Sequence, residues 1–212
     1  RKPLAAEFEF QGERVIVIAN HFNSKTGDLA PYGGIQPAVA GSVAQRADIA
    51  RAVNGFVKQV LKQDPNANVV VLGDLNDFQF SETLQLVKGN ELINMVEQLP
   101  LSEQYSYIHD GNSQTLDNIL LDKRLAEHAE IDIVHINADF MDAAGRVSDH
   151  DPLMVQLDLK GKAKLFPLTV MHTNDTHAHL DTVARRVTAV NEVREDAGRS
   201  ILLDAGDVFS GT

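Results

Sequence analysis

The sequence predicts a mixed α/β fold, α+β in character, because two kinds of apolar pattern alternate along it. The runs "VIVIA" (15–19) and "NVVVLGD" (68–74) are short, rich in β-branched residues and read as buried strands. Between them, 41–62 carries Ala47, Ile49, Ala50, Val53, Phe56, Val57, Val60 and Leu61 at helical spacing and stops before Asp64-Pro65. With 212 residues, 43% of them hydrophobic, the chain can bury a sizeable core in one or two domains.

Taken in order, "AAEFEF" and "QGERVIVIAN" form two alternating strands joined at Gln11-Gly12. A chain that opens directly on a strand, with no lead-in, is expected to begin in mid-protein. The helix and the "NVVVLGD" strand follow. After a mixed region come "YSYIH", "LDNILLD" and "AEIDIVHIN", each short, rich in β-formers and bounded by turn-formers such as "DGNS". The strand "LMVQLDL" follows "VSDHDP", and "KGKAKLFP" then breaks the pattern. The expected domains are 1–159 and 168–212, with 160–167 as the linker. Beyond the linker, "LTVMHTND", "LDTVARRVTAVNEVRED" and "SILLDAGD" make one β-α-β unit, too short for a comfortable core of its own.

Composition removes several function classes. Thirty acidic against nineteen basic residues give a net charge of -11, which argues against holding nucleic acid on a basic surface. An acidic protein can still act on phosphates where a bound divalent cation supplies the positive charge, so clustered carboxylates are the feature to seek. The absence of cysteine excludes disulfides, thiolate zinc sites and cysteine nucleophiles. No stretch approaches the roughly 20 apolar residues of a membrane helix, and no membrane partner is expected.

Polar residues recur at the ends of the buried-type strands: Asn20 and His21, Asp74 and Asn76, Asp149 and His150 just before a strand, Asp175 and His177, and Asp207. Strand ends are where α/β folds build ligand sites. Each place also has an ordinary explanation. "GDLND" makes a turn with side-chain hydrogen bonds, "SDHD" a solvated loop before a strand-starting proline, and "DTH" a helix cap. Asp151 is expected to cap the turn before Pro152. Lys25 and Arg46 could steer a phosphate backbone but are read as solvated charges, and His109, His128, His135, His172 and His179 as structural. "YSYI" is read as a strand rather than a base-stacking platform.

In sequence, "NHFNSK", "GSVAQRADIARAV", "VVVLGDLNDF", "YSYIHDGNSQTLDNILL", "VHINADF" and "VSDHDPL" resemble the endonuclease/exonuclease/phosphatase superfamily, the deoxyribonuclease-like fold. The text is most similar to bacterial extracellular nucleases joined to nucleotidase domains. The resemblance covers residues 1 to about 159 and implies the C-terminal half of a two-sheet β-sandwich flanked by helices. The N-terminal half of the family supplies a strand-end asparagine and a metal-binding glutamate, so that half is the expected partner, in cis or as a nicked chain.

The resemblance also implies roles. His150 would be general base or acid, held by Asp117; Asp149 would bind a metal; Asp74 would orient water or metal; Asn76 would contact phosphate; His21 would donate to the phosphoryl oxygens. All-oxygen ligands select magnesium, calcium or manganese over zinc. "LTVMHTNDTHAHL" and "ILLDAGDVFSGT" resemble the start of a 5'-nucleotidase of the calcineurin-like metallophosphoesterases. That resemblance implies Asp175, His177 and Asp207 as ligands of a two-metal centre whose other ligands lie beyond Thr212. The expected function is metal-dependent cleavage of DNA outside the cell or in the periplasm, coupled to release of phosphate from nucleotides. The alternatives are a phosphatase or phosphodiesterase of the same fold acting on a small phosphoester, or an inert fragment.

Overall fold

The computed structural model describes residues 2–10, 12–29, 33–141, 146–159, 167–173, 183–197 and 199–204. Strands β1 (Leu4–Phe10) and β2 (Glu13–His21) form an antiparallel hairpin through Gly12, whose φ of 81° suits a residue without a side chain. Helix α1 (Gly41–Gln63) then crosses to β3 (Asn68–Asp74), which lies parallel to β2. Helix α2 (Glu82–Lys88) starts at Ser81, whose hydroxyl accepts from the Leu84 amide, and leads to β4 (Leu92–Asn94). The hairpin β5 (Tyr107–His109) and β6 (Asn112–Gln114) precedes β7 (Asp117–Asp122), which pairs antiparallel with both β3 and β4. The resulting sheet has the order β1-β2-β3-β7-β4.

A second sheet, β11-β10-β9-β8, contains β8 (Ala129–Ile133), reached through the short helix α3 (Lys123–Ala126), together with β9 (Leu153–Asp158), β10 (Pro167–Thr173) and β11 (Ser200–Asp204). Helix α4 (Val183–Ala197) joins β10 to the parallel β11, as the β-α-β reading requires, and β10 also runs antiparallel to β9. One sheet thus spans the expected boundary, and the linker read at 160–167 lies outside the described residues except where β10 begins.

Strand alternation divides the core in two. Val15, Val17, Val70, Leu72, Ile119 and Leu121 face the second sheet and pack on Leu153, Val155, Leu157, Leu168 and Val170. Ile18, Val69, Val71 and Leu120 face the other way, onto Ala50, Val53 and Val57 of α1 and Leu84 and Val87 of α2. The mixed architecture and the sandwich agree with expectation. Among the described residues no helix is long and apolar enough to cross a membrane.

Gly73 is the tightest point in this arrangement. Its φ is 127°, and a Cβ there would stand 1.9 Å from the carbonyl oxygen of Asn20 on the paired strand. Gly73→Ala is therefore expected to lower unfolding free energy by about 3 kcal/mol or more, through strain and backbone collision. Gly55 in α1 has nothing within 4 Å of its would-be Cβ, and Gly55→Ala is expected to raise stability by up to ~1 kcal/mol. Urea denaturation of both variants checks the contrast; equal effects would contradict the close approach.

Candidate active site

Strand register alone assembles the site. His21 at the end of β2 is paired with Asp74 at the end of β3, and Asp74 with Asp117 at the start of β7. The three continue the alternation that points Val17, Leu72 and Ile119 between the sheets, so their side chains line the mouth of the inter-sheet space. All three are buried. His150, just ahead of β9, closes the row from the second sheet: its Nδ1 lies 2.6 Å from Asp117 Oδ2.

Asp117 is held from two sides. Ser106, fully buried, donates its hydroxyl to Asp117 Oδ2 at 2.7 Å and accepts from the Asp117 amide at 3.1 Å, while its carbonyl accepts from the Asp151 amide at 2.7 Å. One serine therefore ties the carboxylate to the segment carrying the histidine. Tyr107 packs on the His150 ring with centroids 4.7 Å apart, and the two residues form an isolated β-bridge.

The electrostatics follow from this closeness. Burial opposes the His150 charge more than any other single influence. The Asp117 carboxylate, by charge and hydrogen bond, with Asp74 and Asp149 behind it, nevertheless pushes the imidazole up to about 10. Burial likewise opposes the Asp117 charge, and His150, His172 and Ser106 together hold its carboxyl below the ordinary range. The raised histidine contributes stability that is complete below its unfolded value, near 6.5, and is lost as pH climbs through about 10. The depressed carboxylate contributes stability that is lost in acid as pH falls through its lowered value. At neutral pH His150 is an imidazolium, which makes it a proton donor rather than the ready acceptor its ordinary pKa would suggest.

The "GDLN" turn joins the two readings that its sequence left open. Asp74 accepts from the Asn76 amide at 2.7 Å and from its side-chain Nδ2 at 2.6 Å, with His21 Nε2 3.4 Å away. The side-chain turn is real, and it fixes the carboxylate in the row. Asn76 does not extend the strand alternation: β3 ends at Asp74, and Asn76, at φ 51°, folds back so that Nδ2 also donates to Phe22 O.

Asp151 faces away from the row. Its fully buried carboxylate accepts from the amides of Ile136, Asn137 and Ala138 and lies 2.9 Å from His135 Nδ1. It is a cap, as expected, but for the distant turn at 136–138. The acidic partner absent from the local sequence around His135 is thus supplied by Asp151. His172 of β10 is buried with no hydrogen-bond partner for Nε2 among the described residues, and burial, first, shifts its pKa below the ordinary imidazole value against the opposing pull of Asp117 and Asp204.

Arg46 corrects the reading of a solvated charge: it is 1% exposed. From α1 its guanidinium bonds Asp77 Oδ2 at 3.2 Å, Asn23 O at 3.2 Å and Ser42 Oγ at 2.6 Å, with Asp28 4.0 Å away. It clamps the chain that follows His21 to the chain that follows Asn76. Ser106 and Arg46 act across 11 and 31 positions, so nothing in their own neighbourhoods announces them.

For a metal, the donors present are of the right kind. Asp74 and half-exposed Asp149 flank His150, and Asp117 Oδ1 is buried without a hydrogen-bond partner among the described residues. Carboxylate oxygens suit a hard divalent cation. Among the described residues no group of three acidic or histidine side chains is placed to hold a metal ion. Asp175, His177 and Asp207 lie outside the described residues.

Residues 1–172 match the model of the Endonuclease/Exonuclease/phosphatase family. Trifunctional nucleotide phosphoesterase protein YfkN of Bacillus subtilis is 44% identical over 108 residues, covering 48% of this chain and 7% of that protein. A 5'-nucleotidase of Rattus norvegicus is 36% identical over 77 residues, covering 28% of this chain and 13% of its own length. The chain therefore spans a small part of these relatives. The structure of TDP2 from Caenorhabditis elegans shares the fold, with TM-score 0.55 at 14% identity over 73% of this chain and 45% of that one.

Two outcomes test the geometry. Asp117→Asn removes the carboxylate while the burial that disfavours the imidazolium stays, so the His150 titration, followed by NMR of its ring protons, is expected to fall from about 10 toward or below its ordinary value. An unmoved midpoint would contradict the pairing. Arg46→Met removes the buried guanidinium from Asp77, leaving that carboxylate with Thr83 and the more distant Lys25 as side-chain partners, and is expected to cost about 3–5 kcal/mol in denaturant melts. Exposed Arg51→Ala should stay within ~0.5 kcal/mol of the parent.

Proposed function

Because the chain belongs to the Endonuclease/Exonuclease/phosphatase family of phosphoester hydrolases, we propose that it takes part in divalent-metal-dependent hydrolysis of phosphodiester bonds in DNA. The observation that carries this reading is the continuous row His21, Asp74, Asp117 with His150 fixed on Asp117 at 2.6 Å. Phosphodiester cleavage needs an oriented water, charge opposite the phosphoryl oxygens, and a proton for the leaving oxygen.

Each need has a group. Asp74, at the centre of the row, orients the water and accepts the proton that the water gives up as it attacks phosphorus. His21 contacts the phosphoryl oxygens, and Asn76, whose N–H groups donate to Asp74 and Phe22 O, holds Asp74 in the row beside them. His150, entering the reaction charged, donates from Nε2 while Asp117 holds Nδ1. A hard cation on Asp149 would supply positive charge to the phosphoryl group, which suits a protein of net charge -11.

The similarity of shorter segments to nucleotidases supports a second step, in which a metallophosphoesterase module built on Asp175, His177 and Asp207 releases phosphate from the nucleotides produced. An extracellular or periplasmic setting fits that sequence of reactions, in which DNA is broken down for its phosphate.

Nicking of supercoiled plasmid tests the reading. Activity with magnesium is expected, abolished by EDTA and lowered about 10²–10⁴-fold in His150→Ala. A chain that nicks equally well with EDTA or without His150 would sink this mechanism, and one that releases phosphate only from small monoesters would favour the phosphatase alternative.

A further inference from the structure

Just past the Asp74–Asn76 turn the chain presents two phenylalanines that the site described above does not use. Phe78 and Phe80 are stacked, with ring centroids 5.3 Å apart and planes at 13°. Phe78 is half-buried, and Lys25 Nζ sits 4.0 Å from its ring centroid. Phe80 is 74% exposed, so one face rests on Phe78 while the rest of the ring meets solvent.

The pair is held in place. Ser81 N donates to Phe78 O at 2.8 Å, closing a turn onto the capped start of α2, and Gln79 Nε2 donates to Gln104 Oε1 at 3.3 Å. Asp77, one residue before Phe78, is bonded to buried Arg46. A large apolar ring on such a fixed turn gains nothing from exposure to water, and its open face matches any flat aromatic partner.

We infer that Phe80, backed by Phe78, is a nucleobase platform of the phosphodiester site. The inference rests on the phosphodiester reading and adds where the bases of the substrate go. Phe80 lies within ~14 Å of Asn76 even if the four intervening steps were fully extended, so one short oligonucleotide reaches both. Lys25, whose buried Nζ lies 4.0 Å from the Phe78 ring centroid and 3.9 Å from Asp77, braces the Phe78 ring and leaves the exposed ring of Phe80 free to stack. Base-on-aromatic stacking holds single strands without reading their sequence, because every base has a flat π-face. A lipid surface would call for a contiguous apolar patch, whereas the neighbours of Phe80 in the turn are Gln79, Ser81 and Glu82.

Calorimetric titration of the 212-residue chain, in EDTA to prevent turnover, with a 12-nucleotide single strand and an abasic strand of equal length tests the platform. The base-bearing strand is expected to bind roughly tenfold more tightly. Phe80→Ala should bring the two strands within about twofold while leaving the abasic affinity unchanged, and Phe80→Trp should keep the preference. Equal binding of both strands by the parent chain, or a preference that survives Phe80→Ala, would overturn the inference; plasmid nicking would then still support the phosphodiester reading. If the parent neither binds nor nicks, both fall. Co-sedimentation with phosphatidylcholine vesicles that is lost in Phe80→Ala, with the strands equal, would overturn it in favour of a lipid-facing surface.

Discussion

The register between β2, β3 and β7 is the constraint from which the rest of the site follows. A slip of one residue on any of these strands would turn its functional side chain from the inter-sheet space toward the helices and bring an apolar or amide group in its place. Register is secured by the two-sided burial of the central strands, whose alternate residues fill two separate cores. It is also secured by Gly73, which lets β3 approach Asn20 more closely than any side chain would permit. The hydrophobic effect that folds the sheet thus also aligns the polar row at its end.

On that row, charge is arranged by layers of support. Asp117 holds His150, Ser106 holds Asp117, and the main chain of Ser106 holds the segment from which His150 projects. Arg46 does for the loops after β2 and β3 what Ser106 does for the histidine segment. In both cases a buried polar group is satisfied several times over, the condition under which it organises a structure instead of weakening it. The acidic protein carries its positive charges in this neighbourhood largely inside, on His150 and Arg46, where solvent screens them least.

Much of this was legible in the sequence, and the limits have physical causes. The strand ends at Asn20-His21 and Asp74 and the long helix at 41–62 follow from local periodicity, and the structure reproduces them closely. The dependence of His150 on Asp117 came from family resemblance; its 33-residue separation is beyond local pattern. Ser106 and Arg46 were missed because a serine between two tyrosines and an arginine on an amphipathic helix look alike whether buried or exposed. That a carboxylate on the other ring nitrogen favours the His150 imidazolium follows once Asp117 is taken as its partner; the added pull of Asp74 and the opposition of burial depend on the folded arrangement and have no local signal. Strand alternation cannot be carried past Asp74 to Asn76, because β3 ends there and Asn76 turns back at positive φ.

The anchoring of Asp151 bears on how the histidine does its work. Three amides and an imidazole fasten the residue immediately after His150 to the 136–138 turn, and the Ser106 carbonyl fastens its amide from another direction. The backbone under His150 is therefore immobilised when the protein folds, and the entropy of placing that ring is lost then rather than at each encounter with substrate. Such preorganisation lets the whole interaction between the ring and a phosphoryl oxygen appear as binding or rate. The second acid in the cluster, though it never faces the site, governs how freely the first histidine can wander from it.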